Sequence, residues 1–164
     1  MIAKAATISH GGNAVRYSVN KDKSEIVKVN FLPDDISAEA MYQRMVLKQK
    51  EFSSTINKGR PLKRNVIRME ISPTKEESVG WTLADWVRLA NEYIQAFDSI
   101  DLSKKAKRAS AKSTNVKNSQ YVVALHHDAK SGIPHLHIDV NRVDMDGKVN
   151  DDHLIAERAM SAAY

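Results

Sequence analysis

The sequence of 164 residues predicts an α+β fold built on an antiparallel sheet. Three observations carry that expectation. Strand-like and helix-like stretches both occur along the whole chain. The last two strand patterns, QYVVALHH and HLHIDVNRV, are joined only by DAKSGIP, which makes a hairpin and leaves no room for a crossover helix. The helix-like stretches carry their apolar residues along one side. The length suits one domain with a true core.

MIAKAATIS reads as the first strand, HGGN as a turn, AVRYSVNKD as a short helix and EIVKVNFL as a returning strand. Ser37 is placed to cap a helix that runs to about Phe52, with Met41, Met45 and Phe52 along one side. NKGRPLKR is a loop. NVIRMEIS alternates, with Ile67, Met69 and Ile71 inward against Arg68 and Glu70 outward, as a half-buried strand does. Pro73 ends that strand and TKEESVG reads as a turn. Thr82 with Asp85 makes a capping box, and the following helix sets Trp86, Ala90, Tyr93 and Phe97 in one apolar stripe. DMDGKVND is turn-rich. DHLIAERAMSAAY is helical to the last residue, with Glu157 and Arg158 reading as solvent charges. A pattern still helical at Tyr164 suggests that residues 1–164 are the N-terminal domain of a longer protein.

Composition narrows the function classes. No apolar run approaches the roughly 20 residues needed to span a bilayer, and MIAKAATISH lacks the apolar core of a secretory signal. A cytoplasmic protein with no membrane partner is the expectation. With no cysteine present, disulfides and thiolate metal sites are excluded, so a metal would be held by His, carboxylate or water. The net charge of +5 is uneven: residues 104–118 hold six of the 25 bases and no acid, leaving 19 bases against 20 acids elsewhere. Lys104, Lys105, Lys107, Arg108, Lys112 and Lys117 therefore read as a flexible basic loop suited to gripping phosphates.

Four of the six histidines fall within HHDAKSGIPHLH. On a strand, alternate side chains share a face, so His135 and His137 point the same way, roughly 7 Å apart at the backbone. Leu136, Ile138 and Val140 take the other face, and Asp139 and Asn141 continue the polar one. A third ligand should come from the neighbouring strand, where His126 and His127 leave opposite faces and periodicity alone does not choose between them. Imidazoles with open coordination positions suit a divalent ion acting as a Lewis acid; ligand type leaves Mg, Mn, Zn, Co and Ni open. Asp128 could orient an imidazole from behind. Near the start, SHGGNAVRYSVN places two glycines before a short helix carrying Tyr17, where backbone N–H groups could approach an anion. Arg16 flanks that tyrosine. His10 and His153 read as surface residues.

These residues resemble the relaxase/mobilization nuclease family, tyrosine endonucleases of mobilizable plasmids and transposons within the wider histidine–hydrophobe–histidine group. The resemblance is carried in family order by the tyrosine of GGNAVRYSVN, the strand ending MEISP and HHD…PHLHIDVNR. It implies a central antiparallel β-sheet flanked by helices, with the metal on the sheet face. It makes Tyr17 the nucleophile, and His126, His135 and His137 the ligands of a divalent metal, Mg or Mn foremost. The family's His-x-Asp matches His126 and Asp128, which selects His126 over His127. The implied activity is nicking of one strand, single-stranded or hairpin DNA at a transfer origin, through a 5′-phosphotyrosyl intermediate that is later rejoined. The six bases of residues 104–118 would then contact DNA, and accessory mobilization and transfer-coupling proteins would be partners. Arg16 reads either as a DNA contact or as a solvated helix residue, and Asn141 as bonding either the substrate or the sheet's edge loops. Competing readings are a replication initiator using Tyr164, a metal-dependent phosphoesterase using water, and a non-catalytic DNA-binding module.

Overall fold

The computed structural model describes residues 1–127, 130 and 132–164. Its elements in order are β1 (Ile2–Ile8), α1 (Gly11–Asn20), β2 (Ser24–Asn30), α2 (Ala38–Glu51), β3 (Val66–Ser72), α3 (Lys75–Ser78), α4 (Leu83–Ser99), α5 (Ser103–Ala106), β4 (Tyr121–His126), β5 (His135–Asn141) and α6 (Ile155–Ala162). The strands form one sheet in the order β1-β3-β5-β4-β2, with every neighbouring pair antiparallel. The α+β expectation therefore holds. No helix among the described residues is long and apolar enough to cross a membrane.

Burial explains which strands are central. Every residue of β4 is buried, as is every residue of β5 except the half-buried His135. A strand with partners on both edges and layers on both faces must bury both alternations, so YVVAL is a continuous apolar run. The edge strand β1 instead alternates exposed Lys4 with buried Ala3 and Ala5. On one face, Ile67, Met69, Ile71, Val123, Leu125, Leu136, Ile138 and Val140 meet Trp86, Tyr93 and Phe97 of α4 and Ala159 of α6. At about 1.5–3 kcal/mol for each large apolar side chain fully buried, this layer supplies most of the hydrophobic stabilisation. The opposite face has a smaller core, in which Val66 and Val122 pack under Val15 of α1 and Met41 and Met45 of α2. That core fills only one end of its face. The remainder of the same face carries Arg68, Glu70, His126, His135, His137 and Asp139, all in register across three strands.

Local signals account for the helix ends. Ser37 Oγ accepts from the Ala40 N–H at 3.1 Å, and Thr82 and Asp85 form the expected reciprocal cap. Two expected turns are helical instead. TKEESVG contains α3, because Thr74 and Glu77 form a second capping box. HGGN is no turn, since α1 already starts at Gly11. A Cβ on Gly11 would stand 2.4 Å from Val66 Cγ2 and 2.8 Å from Tyr42 Cε1. The bare backbone there lets the first turn of α1 press against β3 and α2.

Two readings of charged residues are corrected. The segment 104–118 is not an unstructured arm: it forms α5 and two 3-10 turns, Ala109–Lys112 and Val116–Asn118. Ala111 and Val116 are fully buried, and Asp98 of α4 accepts from Thr114 Oγ1 at 2.6 Å and from the Val116 and Lys117 N–H groups at 2.8 and 3.0 Å. Arg158 is not a solvent charge. It is 1% exposed and donates to the Phe97, Ile100 and Ala111 carbonyls at 2.8, 2.5 and 2.8 Å. The guanidinium thereby satisfies carbonyls at the end of α4 and ties the basic segment to α6.

Candidate active site

The hairpin brings the histidines together. His126 stands directly opposite His135 across β4 and β5, and His137 stands opposite Ala124. His126, His135 and His137 share one face; a ring nitrogen of each lies within 4.8 Å of the others. The His126 and His137 rings are stacked at 4.0 Å between centroids, and His135 lies 4.9 Å from His137. His126 Nε2 lies 2.9 Å from the Ser18 carbonyl, to which it can only donate, so Nδ1 keeps the lone pair. His135 Nδ1 lies 3.4 Å from the Ile133 carbonyl, which favours a lone pair on Nε2. Glu70 Oε1 lies 3.3 Å from His137 Nε2. Each imidazole thus has an oxygen holding it, as ligands of a metal commonly do. Three imidazole nitrogens on two central strands form a donor set that fits a divalent ion.

Tyr17 projects from α1 over this cluster, its ring centroid 5.7 Å from those of both His126 and His137. It is 42% exposed, so the phenol can be reached from outside. Two cations flank it. Lys21, just past the end of α1, donates to Tyr17 Oη at 3.0 Å, with its ammonium 4.5 Å from the ring centroid. The Arg68 guanidinium carbon lies 5.6 Å from the same centroid. A cleft of about 860 Å³ opens beside the ring, lined in part by Ser9, His10, Asn13, Arg64 and Arg68.

Asp139 lies on the histidine face of β5, directly across from Arg68 on β3. It has no exposure to solvent, and burial pushes its carboxyl up to about 6, against the opposing influence of the Ser18 hydroxyl and Arg68. A carboxyl so placed gives this half of the sheet face a charge that depends on pH near neutrality.

Several expected site residues lie elsewhere. Asn141 shares the strand face but is fully buried beneath α2. Its amide donates to the Met45 carbonyl and Gln120 Oε1 and accepts from Gln49 Nε2, so its hydrogen-bonding capacity is spent within the fold and not on DNA. Lys104, Lys105, Lys107, Arg108, Lys112 and Lys117 belong to the segment packed with α4 and α6, across the sheet from Tyr17. Lys105 pairs with Glu157, and Arg108 with Asp151 at 3.0 Å. Tyr164 follows α6 in that same far layer, away from the histidines. His127 leaves the opposite side of β4 from His126, is exposed, and lies 3.3 Å from Glu25. Arg16 is exposed on α1 and bonds to Asn13 Oδ1. Asp128 lies outside the described residues. His10 is exposed, as expected of a surface residue, and also lines the cleft.

Lys21, Arg64, Arg68, Glu70 and Asp139 were not among the expected site residues. For Arg68 and Glu70 a signal existed, since the alternation of β3 set both on its polar side. Sequence did not show that β3 neighbours β5, which turns that polar side into part of the histidine face.

The model of the MobA/VirD2-like relaxase nuclease domain matches residues 15–163. The chain belongs to this relaxase family. Among solved structures, the relaxase domain is similar to the conjugative relaxase TrwC, described as a metal-bound structure in complex with oriT DNA. The TM-score is 0.51 at 12% identity, covering 99% of this chain and 65% of that one. At that identity the likeness shows a shared fold, and this chain corresponds to about two thirds of the TrwC chain. No curated protein matches.

Proposed function

We propose that this relaxase domain nicks one DNA strand at a transfer origin by direct attack of Tyr17 on a phosphodiester, and later rejoins the strand. The observation that carries the reading is one accessible phenol seated 5.7 Å from two rings of a three-imidazole cluster. A divalent cation held by His126, His135 and His137, Mg or Mn foremost and Zn, Co or Ni compatible with the donors, would supply Lewis-acid polarisation of a non-bridging phosphate oxygen. The metal-bound, oriT-bound state of TrwC supports extending both ligands to this chain.

In the forward step a bond forms from Tyr17 Oη to phosphorus as the bond from phosphorus to the 3′-oxygen breaks. The phenol loses its proton and the departing 3′-oxygen gains one, so the step is balanced without a redox partner. One phosphodiester is exchanged for another, and the 3′-hydroxyl can attack the phosphotyrosine to restore the strand without ATP. Lys21 donates to the oxygen that attacks and, on return, departs; its charge stabilises the negative charge that collects there. Glu70 and the Ser18 and Ile133 carbonyls hold the imidazoles in orientation. Phenol and imidazoles must close on one phosphate, which favours single-stranded or hairpin DNA. Accessory mobilization and transfer-coupling proteins are the partners that this role implies.

The test is incubation with a labelled single-stranded oligonucleotide library of random sequence and Mg or Mn, followed by denaturing electrophoresis and peptide mapping. The expected result is a DNA–protein adduct on Tyr17, lost in Tyr17→Phe and kept in Tyr164→Phe. An adduct that survives Tyr17→Phe would overturn the assignment. Cleavage with no adduct at all would favour water as nucleophile.

A further inference from the structure

We propose that the DNA strand next to the scissile phosphate is gripped in the cleft on the β1–β3 side of Tyr17, with Arg64 and Arg68 as its phosphate contacts, while the lysine-rich segment 104–118 takes no part in holding that strand. This rests on the nicking reading above and says where the substrate runs.

The cleft and the reacting phenol share a wall, because Tyr17 itself lines the cavity. A strand whose phosphate lies at Tyr17 Oη therefore has its neighbouring nucleotides within reach of the cleft. Its volume of about 860 Å³ is at the upper end of the roughly 300–1,000 Å³ that encloses a drug-sized ligand, more than a lone phosphate ion fills. Its polar groups are donors suited to phosphate oxygens: two guanidinium forks, the His10 imidazole, the Ser9 hydroxyl and the Asn13 amide. The first turn of α1 carries no acidic residue, so the partial positive charge of that helix end is not cancelled locally.

Arg64 is exposed, and Arg68 is half-buried between the Tyr17 ring and Asp139. Neither is ion-paired with a carboxylate among the described residues, whereas Lys105, Arg108 and Arg142 each are. Arg64 closes a second basic run, NKGRPLKR, with four bases and no acid over residues 57–64. That run leads into β3, and of its four bases Arg64 lines the cleft beside Tyr17. The longer run at 104–118 is anchored through Asp98 and Arg158 to the other layer. A strand held there would have to pass around the edge of the sheet to reach Tyr17.

The experiment titrates the full chain against fluorescein-labelled oligothymidylate at a series of salt concentrations and follows anisotropy. Each phosphate contact on a single strand contributes about −0.7 to the slope of log K against log salt. The double variant Arg64→Ala/Arg68→Ala should flatten the slope by about 1.4, and Arg64→Lys/Arg68→Lys should restore most of it. The quadruple variant Lys104→Ala/Lys107→Ala/Lys112→Ala/Lys117→Ala should keep the wild-type slope. An unchanged slope in the arginine pair, or an equal or larger flattening in the lysine set, overturns the proposal. Adduct formation by the wild-type chain on the random library is scored separately. With the adduct present and the arginine pair silent, this inference alone fails; with no adduct, the nicking reading fails as well.

Discussion

Replacing Arg158 by Ala tests how the second helical layer is held. The guanidinium donates to three backbone carbonyls, two at the end of α4 and one in the 3-10 turn at Ala109–Lys112. A hydrogen bond from a charged donor contributes roughly 1.5–3 kcal/mol, so three at the low end sum to about 4.5 kcal/mol. Desolvating the guanidinium in the wild type offsets part of that, leaving an expected net loss of about 3 kcal/mol in Arg158→Ala. For a domain of this size 1 kcal/mol moves the midpoint by roughly 2–4 °C, so the fall should be about 6–12 °C. Urea unfolding followed by tryptophan fluorescence suits the measurement, because Trp86 lies in the same layer and Trp81 packs on its edge at 4.8 Å. Arg158→Met keeps an apolar stem and removes the bonds, so it separates packing from hydrogen bonding. A loss below about 1 kcal/mol in Arg158→Ala, or a Met variant as stable as the wild type, would refute the view that these carbonyls hold the layer together.

Asp139→Asn should change how stability depends on pH in metal-free protein. The buried carboxyl titrates at about 6 when folded and at about 3.9 when unfolded. Its contribution is therefore fully present below about pH 4 and is lost as pH rises through 6. From about pH 5 to about pH 8 the wild type should lose about 1.4 kcal/mol that the Asn variant keeps; parallel pH profiles from chemical denaturation would count against the assignment. His137→Ala should weaken Mn or Zn binding by about a hundredfold or more in calorimetric titration, with oligothymidylate affinity little changed; an unaltered metal affinity would remove His137 from the site. Lys21→Met should slow single-turnover adduct formation about tenfold, the loss of one partly exposed charged donor, without altering DNA affinity, and Lys21→Arg should recover part of the rate. Equal rates in all three proteins would leave Lys21 as a surface residue.

The legible part of this molecule is local. Alternation in HLHIDVN put both histidines on one face of β5, and the period of α4 put Trp86, Tyr93 and Phe97 in the core, because side-chain direction on a strand or helix follows from backbone period alone. The same logic set Arg68 and Glu70 on the polar side of β3. It stopped there, because which strand lies beside which is a matter of long-range pairing that no local period encodes. The charged residues show the limit most clearly. Arg158 reads as a solvent charge and Asn141 as part of the polar face of β5, yet both are buried, because backbone or amide groups brought from distant segments bond the Arg158 guanidinium and the Asn141 amide.

By itself the sequence determined the α+β class, the caps of α2 and α4, the histidine pair of β5 and the tyrosine of α1. The family resemblance selected His126 as the third histidine, and only the tertiary structure decided that β3 lies against β5, that the three rings converge beneath Tyr17, and that the larger basic run is on the far layer. The first set depends on neighbours within a turn or a strand; the second depends on how a chain closes loops to bury two separate apolar faces of one sheet.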